Sequence, residues 1–337
     1  MAQRVVTDAS EIIYYPLDLP WVVGRALDRV RPDVFVLVET ELWPNFIDAC
    51  GRRGIRVVMA NGRISPRSYR RYVRTRFFWR ETLCRIDRLA MISTVDAERV
   101  TAMGAPSERV QVLGNAKYDG LAARVGDDLA RRTGEQLALA AADLVWVAGS
   151  THEGEEVTVL EVYGRLLAEY PRMTLILVPR HIDRAGPVRE LVRQRGFSDV
   201  VSFSEILSGR PRGEDRVVVV DVIGELFKLY SLATVVFCGG SLVPRGGQNI
   251  LEAAAWGKMV FYGPSMEDFS DERALLEGIG AGVTVRDGEE LFQGIREALR
   301  DPEARRRREQ AARSAVAANR GAAARHAAVI REVLGPP

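Results

Sequence analysis

Asn249 and Glu252 lie three residues apart on a segment that reads as helical, which puts an amide and a carboxylate on one face. Such a pair is suited to reading a ribose or a base. Directly before them runs Cys238-Gly-Gly-Ser-Leu-Val-Pro-Arg-Gly-Gly-Gln248, a buried apolar strand turning into a loop with four glycines. Glycines let backbone come close to a bulky ligand. A helix opening near Gln248 would offer free N–H groups and its positive dipole end to a phosphate. The same pattern also makes a tight turn with a helix cap. Far upstream, Glu39 and Glu41 flank a threonine at the end of another apolar run, where strand alternation would point both carboxylates to one face.

The elements that must carry these residues alternate regularly. In residues 1–115 apolar runs at Ile12–Tyr15, Val34–Glu39, Arg56–Asn61, Arg88–Ser93 and Val110–Gly114 are separated by helical segments near 20–30, 43–53, 66–85 and 95–103. Residues 116–141 read as linker plus helix. The alternation restarts with strands at Leu144–Gly149, Thr174–Val178, Val217–Val222, Val235–Cys238 and Met259–Tyr262, and helices at 153–169, 184–195, 225–233 and 249–256. Residues 203–216 read as an exposed loop and 302–334 as one long Arg- and Ala-rich helical tail. This is the signature of right-handed βαβ units and parallel sheets. The expectation is an α/β chain of two doubly wound domains, 1–140 and 141–301, with a tail at 302–337. Ligands of such sheets sit at the carboxyl ends of strands. Polar residues follow the strands at Glu39-Thr-Glu41, Asn61-Gly-Arg63, Asn115-Ala-Lys117, Gly149-Ser-Thr151, Pro179-Arg-His181 and Gly224-Glu225. That distribution implies a cleft between two facing domains.

Composition narrows the function classes. The chain has 337 residues, 47% hydrophobic and 27% charged, enough for two cores. A net charge of +2 and the lack of a reading module argue against nucleic acid. Only Lys117, Lys228 and Lys258 are lysines among 47 basic residues, so arginine clusters partly reflect composition. Cys50, Cys84 and Cys238 form no CxxC, and His152, His181 and His326 have no metal-site spacing, which argues against structural zinc. No stretch reaches the roughly 20 apolar residues of a membrane span.

Taken together, Glu39-Thr-Glu-Leu-Trp-Pro-Asn45, Asn61-Gly-Arg-Ile-Ser65, Gly149-Ser-Thr-His-Glu-Gly-Glu155, Val178-Pro-Arg-His181 and the glycine stretch ending in Glu252 resemble the 3-deoxy-D-manno-octulosonic acid (Kdo) transferase family. Tyr15-Pro-Leu-Asp-Leu-Pro20, Gly114-Asn-Ala-Lys-Tyr-Asp119 and Asp221-Val-Ile-Gly-Glu-Leu226 match it as well, in the right order over nearly the whole chain. The resemblance implies two facing Rossmann-like domains (a GT-B fold) and transfer of Kdo from CMP-Kdo to a lipid A precursor, with inversion, in lipopolysaccharide core synthesis at the cytoplasmic face of a bacterial inner membrane. It implies no metal and no cofactor, so cationic side chains and dipoles would offset the phosphate charge. It places Ser150, Thr151, Pro179, Arg180 and His181, then Ile223, Gly224 and Glu225, then Asn249, Ile250, Leu251 and Glu252 at the CMP moiety. It makes Glu39, Glu41 and Lys117 catalytic: the acidic pair stabilises the cationic sugar and the lysine acts electrostatically.

The chain departs from the family's pattern in three places. A first βα unit with a Gly-Glu motif, which supplies the family's general base, has no counterpart in residues 1–11, so the first domain is expected to be truncated at its start and turnover impaired. Gln248 stands where histidine is common, and Met266-Glu-Asp-Phe269 has aspartate for asparagine. Residues 67–88 hold Arg67, Arg70, Arg71, Arg74, Arg76, Arg80, Arg85 and Arg88 among five aromatic residues. That face is suited to anionic lipid or the bilayer surface, and an arginine-biased solvated helix would look the same. Two rival readings remain: another two-domain sugar-nucleotide enzyme, a UDP-sugar transferase or epimerase, and a non-catalytic nucleotide- or lipid-binding remnant.

Overall fold

A computed structural model describes residues 8–140 and 142–335, the side chain of Arg67 excepted. The chain forms two compact units. The first comprises residues through Ala116 together with the stretch from Gly321, and the second is Lys117–Arg320.

In the first unit, β1 (Val34–Val38), β2 (Arg56–Gly62), β3 (Arg88–Met91) and β4 (Val110–Val112) form a parallel sheet in the order 1-2-3-4. After Arg56 every residue of β2 is buried, as expected of a parallel strand covered on both faces. The helices Pro20–Val30, Pro44–Arg52 and Pro66–Arg74 each begin on proline, which is pre-set for a first helical turn. The last helix, Ala322–Leu334, packs on β1, β2 and β3, burying Ala322, His326 and Val329 at helical spacing.

In the second unit, β5 (Val145–Thr151), β6 (Thr174–Pro179), β7 (Val200–Ser202), β8 (Val217–Val219), β9 (Val235–Cys238), β10 (Val260–Tyr262) and β11 (Gly282–Thr284) form a parallel sheet in the order 11-10-9-5-6-8-7. Its two faces carry two apolar cores. Along β5, Val145 and Val147 enter one, Trp146 and Ala148 the other.

Several expectations need correction. The units divide at Ala116 and Arg320 instead of at 140 and 301, because Lys117–Arg124 and Asp127–Gln136 are helices of the second unit. The tail is two helices, Pro302–Ala318 and Ala322–Leu334, interrupted by Asn319 to a left-handed Gly321. Ile12–Tyr15 is not a strand: Tyr14 is 99% exposed, and Tyr15 is held by its ring contacts with Trp43 and Phe46 instead of by a strand ladder. Within 203–216, Phe203–Leu207 is a helix held by a Ser202–Glu205 capping box, with Phe203 and Ile206 buried. The arginine-rich segment breaks at Thr75 into Pro66–Arg74 and Arg76–Leu83. The three-residue strands β7 and β11 have no counterpart among the expected strands.

Candidate functional site

The order of the second sheet reverses at β5. The chain steps outward through β6, then returns to lay β9 on the other side, which makes the carboxyl ends of β5 and β9 the ligand crevice of a doubly wound sheet. There Gly149 pairs with Cys238, and Gly239 N–H donates to Gly149 O at 2.8 Å. The approach is too close for side chains. A Cβ on Gly239 would lie 2.6 Å from both Ser150 O and Thr151 Cα, and one on Gly149 2.3 Å from the Tyr230 hydroxyl.

The glycine loop after β9 curls into a row of backbone donors, as expected of an anion cradle. Its occupant is internal. Glu155, 1% exposed, accepts N–H bonds from Ser241 (3.0 Å) and Leu242 (2.9 Å) on one oxygen and from Gly240 (2.7 Å) and His152 (2.9 Å) on the other. A carboxylate of the chain itself therefore satisfies those loop donors, so the glycines here serve an internal anion. The helix that follows is also shorter than expected. It runs Leu251–Ala255, and Ile250 and Leu251 are buried, so neither side chain faces solvent.

Positive charge collects beside the loop instead. Arg180 N–H donates to Thr151 O at 2.9 Å, which docks the end of β6 on the end of β5, and the Arg180 and His181 side chains are exposed. The imidazoles of His152 and His181 stand edge to face, 5.7 Å apart. Burial lowers the His152 pKa; the Glu155 carboxylate opposes this, while His181, Arg245 and Arg180 reinforce it. Those three groups and His152 thus share one neighbourhood. Neither Arg180 nor Arg245 forms an ion pair among the described residues. His152 and Arg245 were not singled out from sequence, although both lie inside quoted motifs.

Next to this cluster, Asn249 Nδ2 donates to Glu252 at 3.4 Å and Asn249 Oδ1 accepts the Leu251 N–H at 3.1 Å. Burial raises the Glu252 pKa, opposed by Arg124, Asn249 and Arg180, which ties Glu252 to Arg180. Glu225 pairs with Lys228 and heads Leu226–Leu229, where Leu226 and the following Tyr230 pack over Gly149. Ile223 is 79% exposed and Gly224 is left-handed. Of the expected pair at the β5 end, Ser150 is partly exposed in a left-handed conformation (φ 56°). Thr151 is fully buried with its hydroxyl unpartnered, and Pro179 is buried, so both shape the floor and neither presents a polar group outward.

In the first unit, Glu39 adopts φ 62° immediately after β1, and its N–H donates to Ala60 O at 3.0 Å. That turn ends the pleat, so strand alternation does not govern Glu39 and Glu41, contrary to expectation. Glu41 is exposed and accepts from Trp43 Nε1 at 2.9 Å. Asn61, at φ 53°, accepts the Ala116 N–H at 2.8 Å and donates its own N–H to His326 Nδ1 at 3.3 Å; His326 Nε2 in turn lies 2.9 Å from Gly114 O. Lys117 follows directly, exposed at the start of Lys117–Arg124. Among the described residues five non-glycine residues have positive φ, and three of them, Glu39, Asn61 and Ser150, sit at strand carboxyl ends. Backbone strain of this kind concentrates at functional sites.

Comparison with known proteins gives the following. Residues 1–120 match the family described as 3-deoxy-D-manno-octulosonic-acid transferase (kdotransferase). The 3-deoxy-D-manno-octulosonic acid transferase of Haemophilus influenzae is 33% identical, covering 92% of this chain and 71% of its own; that of Bordetella pertussis is 30% identical, covering 96% and 74%. A bifunctional glycosyltransferase/methyltransferase of Fusobacterium nucleatum is 33% identical over 85% of this chain, which spans 44% of that protein. Among solved structures, the C-terminal CMP-Kdo binding domain of WaaA from Acinetobacter baumannii aligns with a TM-score of 0.51 at 26% identity, over 56% of this chain and 96% of that one. A glycosyltransferase of Rickettsia africae aligns with a TM-score of 0.60 at 13% identity, over 97% and 85%, and shares the fold alone.

Proposed function

Because the chain belongs to the 3-deoxy-D-manno-octulosonic acid transferase family, we propose that it moves Kdo from CMP-Kdo to a hydroxyl of a lipid A precursor, with inversion at the sugar and departure of CMP, in lipopolysaccharide core assembly. One observation carries the donor half: Arg180, His181, His152 and Arg245 gather beside the Asn249–Glu252 pair at the switch point of the second sheet. The Arg180 and Arg245 guanidinium groups there offset the phosphate charge and the negative charge that develops as CMP leaves. Asn249 and Glu252 take the cytidine, with Gly224 and Glu225 closing over it. Ser150 donates to the phosphate. Glu39 and Glu41 stabilise positive charge on the departing sugar, and Lys117 counters the phosphate.

The acceptor is a lipid, and the first unit has a surface fitted to one. Arg70, Arg71, Arg74, Arg76 and Arg80 are exposed on Pro66–Arg74 and Arg76–Leu83, with Phe77 83% and Phe78 47% exposed among them. Basic side chains around protruding aromatics suit an anionic bilayer surface, here the cytoplasmic face of the inner membrane. No helix among the described residues is long and apolar enough to cross a membrane. Calorimetric titration with CMP and with UDP tests the donor assignment. CMP should bind at least tenfold more tightly, about 1.4 kcal/mol; a preference for UDP would overturn it.

A further inference from the structure

A cavity of about 610 Å³ opens at the other end of the second sheet, where Val145, Thr234 and Lys258 mark the amino ends of β5, β9 and β10. Lys258 is largely buried in its wall, and its ammonium forms no hydrogen bond or ion pair among the described residues. The charges facing it come from every side of the cavity. Arg305, Arg306, Glu309 and Arg313 stand on Pro302–Ala318. Arg131 and Glu135 stand on Asp127–Gln136, and Asp143 precedes β5.

The acidic members have partners of their own. Glu135 pairs with Arg131 at 2.7 Å, Glu309 with Arg305 at 3.3 Å, and Asp143 accepts the Ala140 N–H at 2.8 Å. Arg131 is paired with Asp128 and Glu135, and Arg305 with Glu309, whereas Arg306 and Arg313 have no ion pair among the described residues, so the wall carries an excess of positive charge that suits a small anion. Burial lowers the Lys258 pKa to about 8, opposed by Glu309 and reinforced by Arg313 and Arg305. A substantial share of its amine is thus neutral and nucleophilic near physiological pH, whereas an ordinary lysine amine, with a pKa of about 10.4, is almost wholly protonated. The other two lysines differ: Lys228 is ion-paired with Glu225 and Lys117 is exposed on a helix start.

We propose that Lys258 is an acylation site, with the arginine-lined cavity admitting a small donor of the acyl phosphate class. The amine lone pair forms a C–N bond to the acyl carbon, the C–O bond to phosphate breaks, inorganic phosphate leaves, and the ammonium proton passes to solvent. The product removes a buried charge that Glu309 only partly compensates beside Arg305 and Arg313, so acylated protein melts at a higher temperature.

The test uses the full folded chain, acetyl phosphate at pH 7.5, and N-α-acetyl-lysine in the same tube as a reference amine. Peptide mass spectrometry then reads acetyl occupancy at all three lysines. Lys258 should react at least about tenfold faster than Lys117, Lys228 and the reference, given the difference in neutral amine. That preference should vanish when the chain is unfolded in guanidinium chloride. Reaction at Lys258 no faster than at Lys117, or a preference that survives unfolding, would overturn the proposal.

Discussion

Replacing Glu155 with glutamine exchanges one carboxylate oxygen for an NH2 group in a place built only of donors. Either orientation of the amide turns the NH2 toward two N–H groups: Ser241 and Leu242, or His152 and Gly240. Two buried donors are stranded, and each costs roughly 1–3 kcal/mol. The expected loss is about 4 kcal/mol, which in a unit of this size lowers the melting temperature by roughly 8–16 °C. Calorimetric melting of Glu155→Gln against wild type reads the loss directly. Glu155→Ala, which leaves room for water at the donors, should be no worse. CMP affinity should fall alongside stability, because the same loop carries Arg245. If Glu155→Gln melts within about 2 °C of wild type, the carboxylate does not hold the loop and the reasoning fails.

Arg180→Ala and Arg245→Ala should each weaken CMP binding by roughly 1.5–3 kcal/mol, the worth of a hydrogen bond to a charged group; titration should show unchanged melting in the free protein. His152 has a pKa below its ordinary 6.5 in the folded chain. Its contribution to stability is complete above pH 6.5 and is lost as the pH falls through the folded value. A bound phosphate favours the imidazolium, so CMP binding near pH 6.5 should take up protons, measured as a buffer-dependent binding enthalpy; proton release would contradict the cluster. Arg70→Glu with Arg74→Glu should cut binding to vesicles containing anionic lipid by about 2 kcal/mol for each charge reversed, and sedimentation that stays the same would show that another surface meets the membrane.

The central strands were legible because parallel strands buried on both faces read as unbroken apolar runs; β2 and β9 match within a residue or two. Asn249 and Glu252 were legible because their pairing is local to one turn. Glu155 was not, since three of its four donors lie 85 to 87 residues away, on a strand end that only folding brings near. His152 carries the one local clue: a glutamate three residues later whose carboxylate returns to its N–H resembles a helix capping box. Arg245 was hidden by abundance, because in a chain with so few lysines an arginine in a loop carries little information.

His326 knots the helix Ala322–Leu334 to Asn61 and Gly114, so the residues through Ala116 and the stretch from Gly321 complete one folding unit with Lys117–Arg320 inserted between them. During synthesis the inserted unit is finished first, while the earlier sheet waits for a helix still inside the ribosome. Its hydrophobic side stays uncovered for roughly two hundred further residues, at about 5–20 residues per second. A variant that emits the helix Ala322–Leu334 next to β1 should shorten the wait and raise the soluble yield.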